Sequence, residues 1–401
     1  MMLKRLVNFF SEVIHSSKIE FKLFFKDSAV YVSFLGTSLV VCFLYSFIYG
    51  KEVVHKLPIA VVDQDNSAMS RELVRMADAT QGISIYKNTT SLLSAKKLFY
   101  ENDVRGILFI PKDFTSKLLK GQQTSISAYA DASYLLYYKN YLNSLNAALG
   151  TYNAQIEVNG MMKKGLNIRN ASVERRVLNI QSVPLFNPYS GYATSIIPVV
   201  ALIIIQTTLL TAIGILGGTQ RESKTMFKDY GFEVGKRSIF PDLIGRGLAY
   251  LSFCIFVLLI VVGFAFSLFR LPERGGLWEI LLFMIPFFLS VIFMGTMMIG
   301  LFRKREDCLF VFPFMSLPAL FLTGGSWPTA AMPEFIQQFA YILPTTVGVK
   351  GFEALTQFGA SLSDIKDLYG QMWITCLVYF VLALIVERNL LMKSKEVMAT
   401  A

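Results

Sequence analysis

The chain has 401 residues, 54% of them hydrophobic and only 16% charged, with a mean hydropathy of +0.49. A soluble domain carries about 25% charged residues, so an ordinary water-soluble domain of this size is excluded. The formal net charge of +10 does not indicate nucleic acid, because it accompanies 34 phenylalanines. It fits a chain whose main solvent is lipid and whose cations face an anionic membrane surface.

A bilayer core takes about 20 apolar residues per helix. Asp, Glu, Lys and Arg are missing from 28–50, 247–269, 280–302, 308–333 and 368–386, and each run predicts one membrane-spanning helix. The run 177–220 is too long for one span. Its first part, with Pro184, Asn187 and Pro188, reads as a surface entry and leaves roughly 192–216 as the helix. Six spans are therefore expected. The shorter run 335–349 contains Pro344 and reads as a re-entrant or interfacial segment.

Lysine and arginine in short loops set orientation. Lys4, Arg5, Lys18, Lys22 and Lys26 precede span one. Arg221, Lys224, Lys228, Lys236, Arg237 and Arg246 follow span two. Arg303, Lys304 and Arg305 follow span four, and Arg388, Lys393 and Lys395 follow span six. The opposite loops offer only Arg270, Arg274, Lys350 and Lys366. Both termini are expected in the cytoplasm, with 50–188 outside. The first span reads as a signal anchor, since a charged amphipathic stretch precedes a run long enough to cross. Cys42, Cys254, Cys308 and Cys376 lie in or beside spans and read as buried small hydrophobes.

The segment 50–188 has a soluble composition. Strands are predicted at 57–62, 83–86, 104–110 and 125–130, with helices to about Ala79, over 89–100 and over 114–119, which suggests a small α/β layer. Asp63-Gln64-Asp65-Asn66-Ser67 supplies turn and N-cap chemistry; it lacks the glycine and distant glutamate of a calcium loop. From Tyr134 to Ile180 the pattern is helical. Tyr134, Tyr137, Tyr138, Tyr141 and Leu145 form a stripe that either packs on the sheet or handles amphiphilic cargo.

No phosphate-cradling glycine loop is present; Gly160 and Gly165 are followed by Leu166 and Asn167. The two histidines, His15 and His55, fall on opposite sides of the membrane, so neither a catalytic nor a metal-binding constellation is expected. The spans hold no ionisable interior residue of the kind that ion-coupled transporters use. Their polar residues include Gln206, Thr207, Thr208, Thr211, Ser252, Ser290, Thr296 and Ser316. These read as interhelical hydrogen-bonding groups, or, for Gln206, Thr207 and Thr211, as candidates for a translocation path. Energy for uphill movement must then come from a cytoplasmic partner.

One span, a large external α/β-plus-helix domain and five further spans resemble the permease subunit of ABC-2-type exporters that carry a large extracytoplasmic insertion. Four segments bear the resemblance. Glu20-Phe21-Lys22-Leu23-Phe24-Phe25-Lys26-Asp27 looks like the family's amphipathic interface helix, with Glu20, Lys22 and Asp27 as its polar marks. Residues 58–67 with Ser70, and 107–114 with Pro111 and Phe114, resemble strands and turns of its external domain. Gln220-Arg221-Glu222-Ser223-Lys224-Thr225-Met226-Phe227 resembles the coupling helix, with Lys224 where glycine is common, and Gly245-Arg246 resembles the Gly-Lys that opens span three. Residues 324–334 and 343–346, with Gly325, Trp327, Pro328, Pro333 and Pro344, resemble the external gate. Trp327 and Tyr341 read equally as belt aromatics, and Lys350 and Glu353 as a surface pair.

The resemblance implies a polytopic α-helical membrane protein with six transmembrane helices and an external α/β domain with long helices inserted between spans one and two. Its parts are a cytoplasmic amphipathic interface helix (1–28), span one (29–50), the extracytoplasmic domain (51–190), spans two to six (191–388) and a cytoplasmic tail (389–401). The coupling loop is expected at 217–245 and the re-entrant segment at 324–350. Glu222, Thr225, Met226 and Phe227 would couple to a separate cytoplasmic ABC ATPase that binds ATP and Mg, so the chain itself needs no cofactor. A homodimer or a paralogous heterodimer, membrane lipid and a periplasmic adaptor are the implied partners. The implied location is the bacterial inner membrane, and the implied cargo hydrophobic or amphiphilic. A non-transporting scaffold or receptor, whose external domain binds a secretion component or a phage, is the alternative.

Overall fold

The computed structural model describes residues 2–50, 54–163, 167, 185–187, 191–232, 238–271, 273–302 and 304–400. The expected helical continuation over 164–180, Pro184, Pro188, Lys236, Arg237 and Arg303 lie outside the described residues. In chain order the elements are α1 (Met2–Lys26) and α2 (Ser28–Tyr49). Then come β1 (Leu57–Asp63), α3 (Ala68–Asp78), β2 (Ile83–Thr89), α4 (Leu92–Tyr100), β3 (Gly106–Ile110), α5 (Phe114–Leu119), β4 (Ser127–Ala130) and α6 (Leu135–Lys163). The chain continues with α7 (Tyr192–Glu222), α8 (Ile239–Phe266), α9 (Leu277–Ile299) and α10 (Asp307–Leu322). It ends with α11 (Glu334–Ala340), α12 (Pro344–Thr356) and α13 (Lys366–Thr400). Two compact units result: 1–52 with 184–401, and 53–183.

The first unit is helical. Among the described residues, five of its helices are long and apolar enough to cross a membrane: Ser28–Tyr49, Ala193–Glu222, Ile239–Phe266, Leu277–Ile299 and Lys366–Ser394. The expected fifth span of the sequence reading, 308–333, is not one helix. Its helix α10 has 16 residues, about 24 Å at 1.5 Å per residue, which is shorter than the hydrocarbon core of about 30 Å. Pro313 and Pro318 lie inside it, and the chain turns at Gly324 with φ +92, a conformation glycine adopts without a Cβ clash. A 3₁₀ turn (Thr329–Ala331), α11 and α12 follow.

Helices α7 and α9 form the centre of this unit, 78% and 72% buried over their apolar windows against 22% for α2 and for α13. Pairs α9–α13, α1–α8, α7–α10 and α7–α9 make the main packings. Close approach needs small residues. On α12, a Cβ at Gly348 or Gly351 would collide with the rings of Phe287 or Phe283 of α9.

Helix α1 has two apolar faces. Val13 and Phe24 are buried, with Phe24 stacked on Phe253 of α8 at 4.2 Å between ring centroids. Val7, Phe10, Ile14, Phe21 and Phe25 form a second, exposed stripe beside exposed Lys18, Lys22 and Lys26. A helix so patterned suits the plane of a membrane interface.

The second unit is a three-layer α/β fold with sheet order β2-β1-β3-β4. Strand β1 is parallel to β2 and β3, and β4 is antiparallel to β3. Parallel neighbours require crossover helices, and these cover both faces. Ile59 and Val61 pack with Leu73 and Ala77 of α3 and Tyr141, Leu145, Ala148 and Tyr152 of α6, while Ala60 and Val62 pack with Ala95 of α4. The tyrosine stripe divides accordingly. Tyr141 is buried and donates to the Ile107 carbonyl (2.8 Å), and Tyr152 donates to that of Met69 (3.0 Å). Tyr134 and Tyr138 are exposed.

Candidate functional site

The most heavily charged interior of the membrane unit lies where α1, the loop after α7, α8 and α13 meet. Helix α8 begins at Ile239, eight residues before the uncharged run 247–269, and so carries Asp242 and Arg246 inside the helix one turn apart. Gly245 between them faces α1, where a Cβ would come within 2.8 Å of Ser16 Cβ. The two helices therefore touch backbone to backbone, and their polar side chains interlock.

Ser16 Oγ donates to Asp242 Oδ1 (2.6 Å), and Asp242 Oδ2 lies 3.0 Å from Arg246 Nε. That approach is an ionic contact, since Nε makes no aligned hydrogen bond among the described residues. Arg246 Nη2 donates to Glu387 of α13, and the guanidinium lies 5.0 Å from the ring centroid of Tyr230. Tyr230 OH donates to Glu20 of α1. Burial pushes the Glu20 carboxyl above the usual carboxylate range, against the opposing pull of the Arg246 guanidinium and the Tyr230 hydroxyl. Glu20, Asp242 and Glu387 are 3%, 3% and 1% exposed. Three carboxylates thus surround one guanidinium, an arrangement that desolvation makes sensitive to the loss of any member. A cavity of about 10 Å³ beside Glu20, Gln220, Tyr230 and Arg246 has room for about one water.

The loop that supplies Tyr230 is held in two ways. Helix α7 ends at Glu222 and its C-cap is Ser223. Lys224 follows with φ 57, Lys224 N donates to Arg221 O (3.2 Å) and Thr225 N to Gln220 O (2.9 Å). This is a Schellman ending, in which the left-handed residue is ordinarily glycine. Arg221 then reaches across to the end of α9, where Nη1 donates to the carbonyls of Ile299 (2.6 Å), Gly300 (3.0 Å) and Phe302. It satisfies acceptors that a helix C-terminus leaves open.

The expected coupling residues separate along this loop. Met226 is buried, Thr225 and Phe227 are half-buried, and Phe227 meets Phe232 edge-on at 5.8 Å. Glu222, Lys224, Lys228 and Asp229 are exposed. Of the interface-helix residues, Glu20 joins the buried cluster and Lys22 is exposed. Asp27 caps α2 through Ala29 N (2.9 Å) and pairs with Arg305 (3.1 Å) after α9.

Residues singled out for gate and path divide similarly. Pro344 is buried at the start of α12, and its neighbour Thr345 donates to Gln206 of α7 (2.7 Å). Thr211 donates to the Thr207 carbonyl of its own helix (2.7 Å). Gly325, Trp327, Pro328 and Pro333 are exposed. Lys350 Nζ donates to the Tyr341 hydroxyl (3.1 Å) and lies 4.8 Å from that ring's centroid, in place of the expected pair with Glu353.

In the second unit the Asp63–Ser67 turn is occupied by its own donors. Asp63 accepts from Asp65 N and Asn66 N (both 3.0 Å) and from Ser70 Oγ (2.6 Å). Asp65 accepts from Thr115 Oγ1 (2.5 Å), and Ser67 caps α3 reciprocally with Ser70. Burial would raise the Asp65 carboxyl, but the hydroxyls of Ser67 and Thr115 outweigh it and hold the group below its ordinary value. Among the described residues no cluster of three or more His, Cys, Asp or Glu suits a metal ion.

Sequence reasoning missed the charged cluster as a unit. Its signal was an acid and a base one helical turn apart, Asp242 and Arg246, bordering an apolar run, with Glu387 at the border of another. Charges at such borders become functional candidates when the helix extends past the run.

The sequence profile described as "ABC-2 family transporter protein" matches residues 29–385. The linearmycin resistance permease protein LnrN of Bacillus subtilis (strain 168) is 24% identical over 371 residues, 88% of this chain and 93% of that one. The probable multidrug ABC transporter permease YbhR of Escherichia coli (strain K12) is 23% identical over 315 residues, 76% and 79% of the respective chains.

Proposed function

Because the chain belongs to the ABC-2 transporter family, we propose that it is the membrane-spanning permease of an ATP-driven exporter in a bacterial inner membrane, in which the short apolar α10 makes a sixth crossing beside the five longer helices and so leaves both termini cytoplasmic. ATP is hydrolysed in a separate cytoplasmic subunit. One observation carries the coupling mechanism: Tyr230, on the loop after α7, is inserted into a buried charged cluster shared by α1, α8 and α13. A displacement of that loop cannot be absorbed locally, because its ring and hydroxyl hold Arg246 and Glu20. The exposed Glu222, Lys224, Lys228 and Asp229 present the docking face to the ATPase. Met226 works from the inside, as the loop's anchor in the membrane unit.

Half of a transport unit must pair with another. The exposed Phe310, Phe314, Leu317 and Phe321 of α10, with Val40 and Phe47 of α2, supply apolar surface for a second permease as well as for lipid. The hydrogen bond from Thr345 of α12 to Gln206 of α7 supports a re-entrant α12 lining an outward path beside α7. The names of both relatives refer to resistance or multidrug transport, and a hydrophobic or amphiphilic cargo suits spans that are apolar over most of their length. A membrane scaffold or receptor would need no buried linkage from loop to spans.

The test is co-purification with a co-expressed cytoplasmic ABC ATPase subunit from the same source. Reversing charge at Glu222→Arg with Lys228→Glu is expected to release the ATPase, and Lys96→Glu in the second unit to leave it bound. If wild type retains no ATPase, or the loop reversal has no effect, the exporter reading fails.

A further inference from the structure

The second unit contains a cleft of about 620 Å³ at the carboxyl ends of β1 and β2. That is the end of an open α/β sheet at which ligands generally sit. Its basic wall is Arg71 and Arg75 of α3, four residues apart and so on one face of the helix. Arg71 Nη1 donates to the Asn66 carbonyl (2.8 Å), which fixes that side chain at the mouth of the cleft. Among the described residues neither arginine forms an ion pair with a carboxylate; the nearby acids are engaged elsewhere, Glu72 with Gln155 (2.9 Å) and Asp78 with Ile85 N (2.8 Å).

The opposite wall is set by a strand irregularity. Strand β2 pairs Ile85 with Ile59 and then Lys87 with Ala60, leaving Tyr86 as an extra residue. Bulges of this kind re-aim the side chains that follow. The consequence is that Asn88 lies opposite Val61, on the face shared with α3, and the Lys87 position moves to the other face. The amide of Asn88 and the hydroxyl-bearing Thr90 thus line the cleft opposite the two guanidinium groups. The one carboxylate in the lining, Asp63, accepts from Asp65 N, Asn66 N and Ser70 Oγ and forms no ion pair with either arginine among the described residues, so the lining sets two guanidinium groups against one carboxylate.

We infer that this cleft is a binding site for an oxyanion group, a phosphate or carboxylate, held by Arg71 and Arg75 with Asn88 completing the contacts. Paired guanidinium forks match planar or tetrahedral oxyanions in both charge and geometry. The cleft is larger than one such group, so the anion is the head of a larger molecule or a free solute with room to spare. The site is independent of the coupling mechanism proposed above, because every residue in it belongs to the second unit.

The experiment titrates the full-length chain in zwitterionic nanodiscs, at constant ionic strength, with inorganic phosphate and separately with monomeric short-chain phosphatidylglycerol. Short-chain phosphatidylcholine is the blank, and binding is read calorimetrically. Saturable millimolar or tighter binding of either probe is expected. It should weaken about tenfold or more in Arg71→Gln/Arg75→Gln and less in the charge-preserving Arg71→Lys/Arg75→Lys, which keeps the attraction but loses the fork. Phosphate binding assigns a free solute, and binding of the lipid alone assigns a headgroup. Absence of saturable binding of both probes overturns the inference. So does unchanged affinity in the Gln pair, or equal weakening in the charge-matched control Lys96→Gln/Lys120→Gln.

Discussion

Replacing Arg246 with methionine removes its guanidinium from the buried cluster while keeping most of the side-chain volume. The side chains of Arg246, Asp242 and Glu387 are 10%, 3% and 1% exposed, so water does not compensate for the loss. Breaking one buried ion pair by removing a partner costs about 3–5 kcal/mol, and the contact with the Tyr230 ring adds roughly 1 kcal/mol. Arg246→Met is therefore expected to lower stability by about 4–6 kcal/mol, roughly a thousandfold to ten-thousandfold in the folding equilibrium. Glu387→Leu alone strips one of two acidic partners and leaves Arg246 with Asp242, so its effect should be smaller. The double variant Arg246→Met/Glu387→Leu replaces the pair by apolar groups, which is often close to neutral. Its effect should fall short of the sum of the single changes by about 2 kcal/mol or more. The assay is reversible unfolding in mixed micelles, followed by thiol labelling of the four buried cysteines Cys42, Cys254, Cys308 and Cys376. Additive single effects, or a stable Arg246→Met, would refute the idea that these charges act as one unit.

Two further outcomes follow from local geometry. Lys224→Gly places glycine at a left-handed C-terminal position (φ 57), and the same unfolding assay should show stabilisation of roughly 1 kcal/mol. In the second unit, the held-down Asp65 carboxyl contributes stability above the ordinary carboxylate value, about 3.9. That contribution is lost as pH falls through the lowered folded value. Thr115→Val should shift the loss to higher pH and reduce amide-exchange protection near residues 65–70 at neutral pH; unchanged protection would remove Thr115 from the account.

The parts of the fold legible in the sequence are those that one-dimensional hydropathy encodes. Strands β1 and β3 lie within a residue or two of the apolar runs 57–62 and 104–110, since buried parallel strands are apolar on both faces. Spans were legible as uncharged runs, but their ends were not. Asp242, Arg246 and Glu387 neutralise one another only in three dimensions, so α8 and α13 extend through charges that a hydropathy count treats as boundaries. The uncharged run 308–333 hides a break that composition alone does not show: α10 ends at Leu322, just before Gly324, where the segment resembling the external gate begins. The burial of Met226 was not legible in the sequence; it follows a Schellman turn at Lys224 that the φ angle reveals.

The central claim is that force enters the membrane unit through Tyr230. Its most direct test is ATP hydrolysis by the reconstituted complex of permease and ATPase, compared between wild type and Tyr230→Phe. The substitution keeps the ring beneath Arg246 and removes only the hydroxyl that holds Glu20, leaving a buried acceptor without that donor at a cost of about 1–3 kcal/mol. The account predicts that the ATPase still co-purifies with the variant while its hydrolysis rate returns to that of the isolated ATPase. A variant that binds the ATPase and modulates it as wild type does would contradict the account.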